Sequence, residues 1–365
     1  FKKTIYQLLP ITFKQNKLII ISPFQFIFKR GIEVYIYNLS NKLAKNYGIK
    51  ICIYSWDTQR AVHWGEWHEK IKIRRVPFSR FYQTKIAKLF YRVWVKIDQP
   101  DLIICSFLWH GESAVFNKHR DIVIFHNPVS QIPYRYKFSR KFIDQNTSVV
   151  LNSKDSLIQF NNYLAGSNKS RVIYTGVDVK YFKPDRIKNK SKSLRLICIS
   201  AFEQRKGIQY LLNSLPELLE KFKISLKIIG SGDYKKVYEE LIYKLMINKF
   251  VKIYEPVDDT RKHLISSDIY CLLSIGEGFP LGLLEAMSCG IPVVTSQYPP
   301  FDEIDNKVIH RVKREDPNDI VTTIGKLSEK KYYSYISKLS RQYVENYHSW
   351  DGIAKKYFEV INENK

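Results

Sequence analysis

Two carboxylates, a pair of cations and two histidines are the side chains in this chain whose surroundings suggest chemistry. Glu277 and Glu285 lie in the run Gly-Glu-Gly-Phe-Pro-Leu-Gly-Leu-Leu-Glu, residues 276–285. The apolar run from Ile269 to Ser274 reads as a buried strand leading into it. Gly276 and Gly278 allow a tight turn, and Pro280 falls where a first helical residue would. Leu283, Leu284, Ala286 and Met287 recur at helical spacing, Gly290 reads as a C-terminal cap, and Pro292 opens the next strand. A helix start at the carboxyl edge of a parallel sheet presents free N–H groups and suits a phosphate. The carboxylates are more than one helical turn apart, so they do not grip one atom. They can instead hold two hydroxyl-bearing groups on either side of a bound phosphate. As pattern alone, solvated charges around a helix cap fit equally well.

The cations are Arg205 and Lys206, which with Gly207 follow the strand run Leu194–Ser200 and open an amphipathic helix to Phe222. Two cations at a strand-to-helix turn suit a diphosphate, because the helix start and both charges act together. A pair of surface cations is the bland alternative. His110 and His126 follow the runs Asp101–Cys105 and Asp121–Phe125, where active-site groups collect in open α/β sheets. A lone histidine at a strand end is more often structural.

The elements that must hold these residues form a strand–helix alternation that runs twice. In the front half, strands are expected at Lys17–Ser22, Lys50–Tyr54, Ile71–Val76 and Ser148–Leu151, besides the two that end near the histidines. A helix follows Arg30-Gly31 through Leu43, and Asn152-Ser153 reads as a helix cap. Val172–Asp178 closes this half. The polar, basic stretch Lys183–Ser193 fits a linker. We therefore expect an α/β protein with a front domain over 1–182 and a back domain over 183–345. A terminal helix over 346–365 begins at His348-Ser349-Trp350, with Trp350 as a packing anchor.

At 365 residues, 45% hydrophobic and 26% charged, the chain has the size and balance of two globular domains. No apolar run approaches a membrane span. Residues 5–13, interrupted by Gln7 and Pro10, are too short for a signal peptide. The five cysteines are scattered without metal-ligand spacing, which suits a reducing compartment. Net charge is +24 and uneven: residues 1–182 carry 29 basic and 11 acidic side chains, an excess of +18. Such a front half implies an anionic partner, unless it is simply a lysine-rich solvated surface. Lys85–Ile97 reads as an amphipathic helix with Ile86, Leu89, Phe90, Val93, Trp94 and Ile97 on one face. It could lie on an anionic membrane, though packing on the sheet is the favoured reading. A basic, aromatic segment, Tyr134 to Lys141, could border an acceptor or a membrane.

The string Glu277-Gly278-Phe279-Pro280, with Leu284-Glu285-Ala286-Met287 and Gly290-Ile291-Pro292-Val293-Val294, resembles the donor-site signature of retaining GT-B glycosyltransferases of family 4. The resemblance extends from about Lys17 to Asn362 and is strongest after Leu194. It implies two Rossmann-like domains facing each other across a cleft, with the last helix crossing back to the front domain. It also implies transfer of a sugar from a nucleotide-diphosphate sugar to a hydroxyl acceptor, a glycan or a lipid-linked one, with retention of configuration. Glu277 would contact the transferred sugar and Glu285 the ribose. Lys206 would contact the diphosphate, with Arg205 standing in for the family's arginine, whose place is taken by Ala201. Gly31, Gly278, Phe279, Leu281 and Gly282 would complete the donor site, and Ser274 matches the family's serine before the first glutamate. Arg30 replaces the first glycine of the family's phosphate loop, and Glu255 stands where a glycine usually borders the base. His126 aligns with the acceptor-side histidine, with His110 in reserve.

No cofactor is expected beyond the donor, and no metal, since the chain has no Asp-x-Asp motif. The expected place is the cytoplasm, with peripheral attachment to the inner face of the membrane as an option. Two rivals remain open here: a GT-B nucleotide-sugar epimerase, and a basic nucleic-acid-binding protein. The second would need a recognisable module or a stacking platform, and neither is present, so no nucleic-acid partner is expected.

Overall fold

The computed structural model describes residues 17–22, 31–56, 65–76, 85–106, 121–126, 147–164, 169–184, 193–275, 277 and 279–364. Several expectations lie outside those residues: the reading of 1–16, Arg30, His110, the segment around Tyr134–Lys141, most of the 183–193 stretch, Gly276 and Gly278.

The described chain forms two compact units, residues 1–175 with 350–365, and residues 176–349. In the first, strands β1 (Lys17–Ile21), β2 (Lys50–Trp56), β3 (Ile71–Val76), β4 (Leu102–Cys105), β5 (Ile122–Phe125), β6 (Ser148–Leu151) and β7 (Ser170–Val172) make one parallel sheet. Their order is β3-β2-β1-β4-β5-β6-β7. The central strands are almost wholly apolar and buried, which is what a parallel sheet covered on both faces requires. Helices α1 (Gly31–Tyr47), α2 (Lys85–Asp98) and α3 (Lys154–Leu164) follow β1, β3 and β6. The Ser153 hydroxyl caps α3 by accepting the N–H of Ser156 at 3.0 Å.

In the second unit the strands are β8 (Leu194–Ile199), β9 (Ile224–Ile229), β10 (Val251–Tyr254), β11 (Ile269–Leu272), β12 (Val293–Ser296) and β13 (His310–Val312). They are again parallel, in the order β10-β9-β8-β11-β12-β13. The helices are α4 (Ile208–Lys221), α5 (Lys235–Lys244), α6 (Thr260–Ile265), α7 (Leu281–Ser288), α8 (Pro299–Asp302), α9 (Pro317–Ser328) and α10 (Lys330–Tyr347). The last helix, α11 (Trp350–Glu363), belongs to the first unit and packs on α1. Trp350 is buried against the edge of Tyr35, whose hydroxyl donates to Tyr357 at 2.7 Å. Trp350 is thus a packing anchor.

Two local expectations need correction. The unit boundary falls at Gly176 and Trp350 rather than at 182/183 and 345/346. Residues 177–182 are bonded into the second unit: Val177 N–H donates to His348 O at 2.8 Å, and Arg341 Nη1 donates to Phe182 O at 2.6 Å. The strand before these residues is Ser170–Val172, and the residues that follow it run on as a strap. Helix α2 does pack on the sheet, but on a face centred on Tyr91, Trp94, Val95 and Asp98 rather than on Phe90, Val93 and Ile97. The reason is polar. Asp98 is fully buried, held by Arg74 at 2.9 Å, by Lys17 at 3.2 Å and by the Tyr54 hydroxyl at 2.5 Å. That network turns the helix by drawing a carboxylate inward.

Candidate active site

The second unit has the strand order in which connections leave β8 toward one edge and β11 toward the other. The loops after β8 and β11 therefore diverge, and a crevice opens between them at the carboxyl ends of the strands. Sequence places Lys206 after β8 and Glu277 after β11. In the structure the Lys206 ammonium donates to the Glu277 carboxylate, and each side chain keeps only 11% of its exposure.

Backbone geometry makes that meeting possible. Residues Gln204–Lys206 form a 3₁₀ turn rather than the first turn of α4, which begins only at Ile208. Gly207 between them has φ +71°, the left-handed region that glycine enters without strain. A Cβ there would sit 1.9 Å from the Leu273 carbonyl oxygen, so glycine is needed for the turn to lie against the end of β11. Ile275 N–H then donates to Arg205 O at 2.9 Å and ties the two loops together. Arg205 itself does not join the pair: its Nε donates to Glu203 at 2.6 Å, and the side chain is over one-third exposed.

Helix α7 starts one residue later than expected. Pro280 is the N-cap, in extended conformation, and Leu281 is the first helical residue. Proline has no N–H to lose in either position, so the sequence signal is shared between them. Gly282 lies over Tyr270 from β11, and a Cβ there would be 2.7 Å from the Tyr270 hydroxyl, which donates to Ile199 O at 3.1 Å. The other end closes as expected: Gly290 N–H donates to Met287 O at 2.9 Å and Ile291 N–H to Ala286 O at 3.0 Å. Phe279 is buried and stacks on His348, with ring centroids 5.3 Å apart.

Glu285 sits on the same helix, and its Oε2 accepts the Thr260 hydroxyl at 3.0 Å. Burial pushes this carboxyl up to about 7, Thr260 pulls it down, and the nearby Asp259 charge raises it. Glu277 and Glu285 make different bonds to different elements, as the sequence spacing required. Sequence reading missed Thr260 and its N-cap Asp259, although Asp-Thr ahead of Leu264 and Ile265 is a legible helix start. Glu255 is exposed and paired with Lys235 at 2.5 Å. Ser274 is buried, and its hydroxyl has no hydrogen-bond partner among the described residues.

In the first unit, Gly31 opens α1 at the carboxyl end of β1, exposed. His126 follows β5, edge-on to Tyr35 with centroids 4.9 Å apart. Its carbonyl accepts from Asn152 Nδ2 at 2.7 Å, and its Nε2 is sealed from solvent without a hydrogen-bond partner among the described residues. Burial pushes its imidazole down to about 3. A cavity of about 580 Å³ elsewhere in the second unit, lined by His310, Arg311, Lys326 and Tyr332, includes neither Lys206 nor Glu277. Among the described residues no three His, Cys, Asp or Glu side chains are grouped to hold a metal.

Comparison with known proteins places the chain. The family described as Glycosyl transferases group 1 matches residues 180–350, and Glycosyltransferase Family 4 matches residues 29–181. An uncharacterized glycosyltransferase, MJ1607 of Methanocaldococcus jannaschii, is 30% identical over 210 residues, 53% of this chain and 54% of that protein. The chain thus aligns with about half the length of that relative. A phosphatidylinositol N-acetylglucosaminyltransferase subunit of Arabidopsis thaliana is 24% identical over 93% of this chain and 80% of its own. Among solved structures, Anabaena Alr3699/HepE in complex with UDP and glucose superposes with a TM-score of 0.78 at 17% identity, covering 95% of this chain and all of that one. That likeness establishes a GT-B fold of two Rossmann-like domains.

Proposed function

The chain belongs to glycosyltransferase family 4, the glycosyl transferases group 1, and we propose that it moves a sugar from a nucleotide-diphosphate sugar to a hydroxyl of a glycan or lipid-linked acceptor. The observation that carries this reading is the nearly buried Lys206–Glu277 pair at the switch point of the second sheet. Breaking a glycosidic C–O bond leaves negative charge on the departing diphosphate, and a fixed cation in a site shielded from water answers that need. Lys206 is such a cation. The start of α7 at Phe279 and Leu281, close-packed through Gly282, adds N–H donors, and Gly278 belongs to the same loop. Glu277 would turn to the sugar hydroxyls and Glu285 to the ribose. Arg205, whose Nε is held by Glu203, would be the second phosphate cation.

Retention of the anomeric configuration and independence from metal belong to this proposal. So do the acceptor-side placing of His126 and the phosphate-side placing of Gly31. The names of relatives favour a lipid or glycan acceptor: one acts on phosphatidylinositol, and another, in Mycolicibacterium hassiacum, is an α-(1→4)-mannosyltransferase. Attachment to an anionic membrane surface is proposed on charge alone. No helix among the described residues is long and apolar enough to cross a membrane. The family match disfavours both the epimerase and the nucleic-acid reading.

The test is a thermal-shift panel of nucleotide sugars, beginning with UDP sugars, followed by incubation with candidate acceptors and analysis of product linkage. Stabilisation by at least one nucleotide sugar, with an α-linked product from an α-linked donor, is the expected result. Stabilisation by RNA in salt-sensitive fashion, with none by nucleotide sugars, would overturn it.

A further inference from the structure

The Glu285 carboxyl is divided. Oε2 is clamped by the Thr260 hydroxyl at 3.0 Å, while Oε1 takes no hydrogen bond among the described residues. Thr260 is the first residue of α6 and is itself fixed. The preceding Asp259 is the N-cap; its carboxylate accepts the Arg261 N–H at 3.1 Å and the Tyr181 hydroxyl at 2.7 Å. Tyr181 lies in the strap after Gly176, where Asp178 Oδ1 accepts the Lys180 N–H at 3.0 Å and the Tyr181 N–H at 3.1 Å. One hydrogen-bonded helix start thus fixes where one oxygen of Glu285 lies and leaves the other without a hydrogen bond among the described residues.

We propose that Thr260 is a positioning residue for the nucleotide donor: its hydroxyl orients Glu285 so that the free carboxylate oxygen meets the ribose hydroxyls. The proposal rests on the reading of Glu285 as the ribose ligand. A carboxylate held at one oxygen loses little rotamer freedom on binding, and that preorganisation is where the affinity comes from.

Geometry also gives this contact a consequence for pH. While Thr260 donates to Oε2, a proton taken up by Glu285 goes to Oε1, the oxygen that would meet the ribose. The groups facing Glu285 are Asp259 at the start of α6, the Tyr181 phenol on the strap and the Tyr270 phenol on β11. Arg341, from α10, sits at the far end of α7 on Ser288 O at 2.6 Å. With the carboxyl pushed up to about 7, donor affinity rises with pH through the neutral range as Oε1 becomes a pure acceptor. Thr260 holds the midpoint down and Asp259 holds it up.

The experiment measures affinity for a nucleoside diphosphate chosen from the panel, and for its 2′,3′-dideoxy analogue, by calorimetry from about pH 5.5 to 8.5. Glu285→Gln comes first and should weaken the nucleoside diphosphate but not the dideoxy analogue. Thr260→Val should then weaken the nucleoside diphosphate about tenfold at the alkaline end, the size of one hydrogen bond to a charged group. It should move the midpoint to higher pH, leave the dideoxy analogue within about twofold, and be restored by Thr260→Ser. Asp259→Asn keeps a capping side chain and should move the midpoint the other way. If Glu285→Gln weakens binding while Thr260→Val changes neither affinity nor midpoint, Thr260 positions nothing. If Glu285→Gln itself leaves binding unchanged, the ribose reading of Glu285 falls, and this proposal with it.

Discussion

Replacing Glu277 by Gln separates two roles that the structure superposes. The Lys206 ammonium and the Glu277 carboxylate bond each other, and each side chain is 11% exposed. Glutamine keeps the shape of the side chain and removes its charge, which leaves a nearly desolvated cation without a counter-ion. Breaking a buried pair by removing one partner costs about 3 kcal/mol. For a unit of this size that lowers Tm by roughly 6–12 °C. The Lys206→Met, Glu277→Gln double variant removes the stranded cation, and replacement of a whole buried pair by similar volume is close to neutral. It should return to within about 1 kcal/mol of the wild type. Transfer should behave differently. On the proposed assignment, with Glu277 on the sugar and Lys206 on the diphosphate in the transition state, both variants should lose on the order of 10²–10³-fold in kcat. Thermal unfolding and steady-state transfer rates, measured on the wild type, both singles and the double, give the answer. If the single loses less than about 1 kcal/mol, the pair is not desolvated as described. If the double recovers transfer along with stability, Glu277 serves only to neutralise Lys206 and does not touch the sugar.

Two further outcomes follow from the proposed site. Transfer assayed in excess EDTA should be unchanged, since side-chain and backbone cationic character is assigned to the diphosphate; complete loss restored by Mn²⁺ or Mg²⁺ would refute that assignment. Liposome co-sedimentation should show binding to anionic but not neutral vesicles, weakened by salt, because each cation near such a surface contributes on the order of 1 kcal/mol. The exposed Arg92 and Lys96 on α2 should contribute, and indifference to anionic vesicles at low salt would remove the membrane from the proposal.

Much of the fold was legible because parallel strands buried on both faces read as apolar runs, and those in β1, β4, β5 and β11 need no tertiary information to recognise. The helix of Glu285 was legible at its C-terminus, where Gly290 closes it as expected. Its start was misplaced by one residue because a proline satisfies both the cap and the first helical position. What failed did so through polar tertiary contacts. Nothing local in Lys85–Ile97 says that Asp98 will be buried by Arg74, Lys17 and Tyr54, three residues from three different strands. Sequence likewise cannot show that Glu203, two residues before Arg205, accepts a hydrogen bond from its Nε. Thr260 was passed over for the converse reason, since its partner lies 25 residues away.

His126 sharpens the reading of how a proton would move in this protein. A catalytic base is most effective when its own affinity for protons is near the working pH. Burial holds this imidazole at about 3, so it is neutral at neutral pH and binds a proton weakly. What it does offer is Nε2, sealed from solvent and without a partner among the described residues. A buried polar atom left unpaired costs about 1–3 kcal/mol, which a ligand hydroxyl reaching it would relieve. On the proposed mechanism His126 would therefore orient a hydroxyl, and the departing phosphate would take the proton. On that account Asn, which keeps a polar group without a titrating one, should preserve the shape of the pH–rate profile while lowering its height. A wild-type acid limb near the ordinary histidine range, about 6.5, that vanishes in His126→Asn would instead make the imidazole the base.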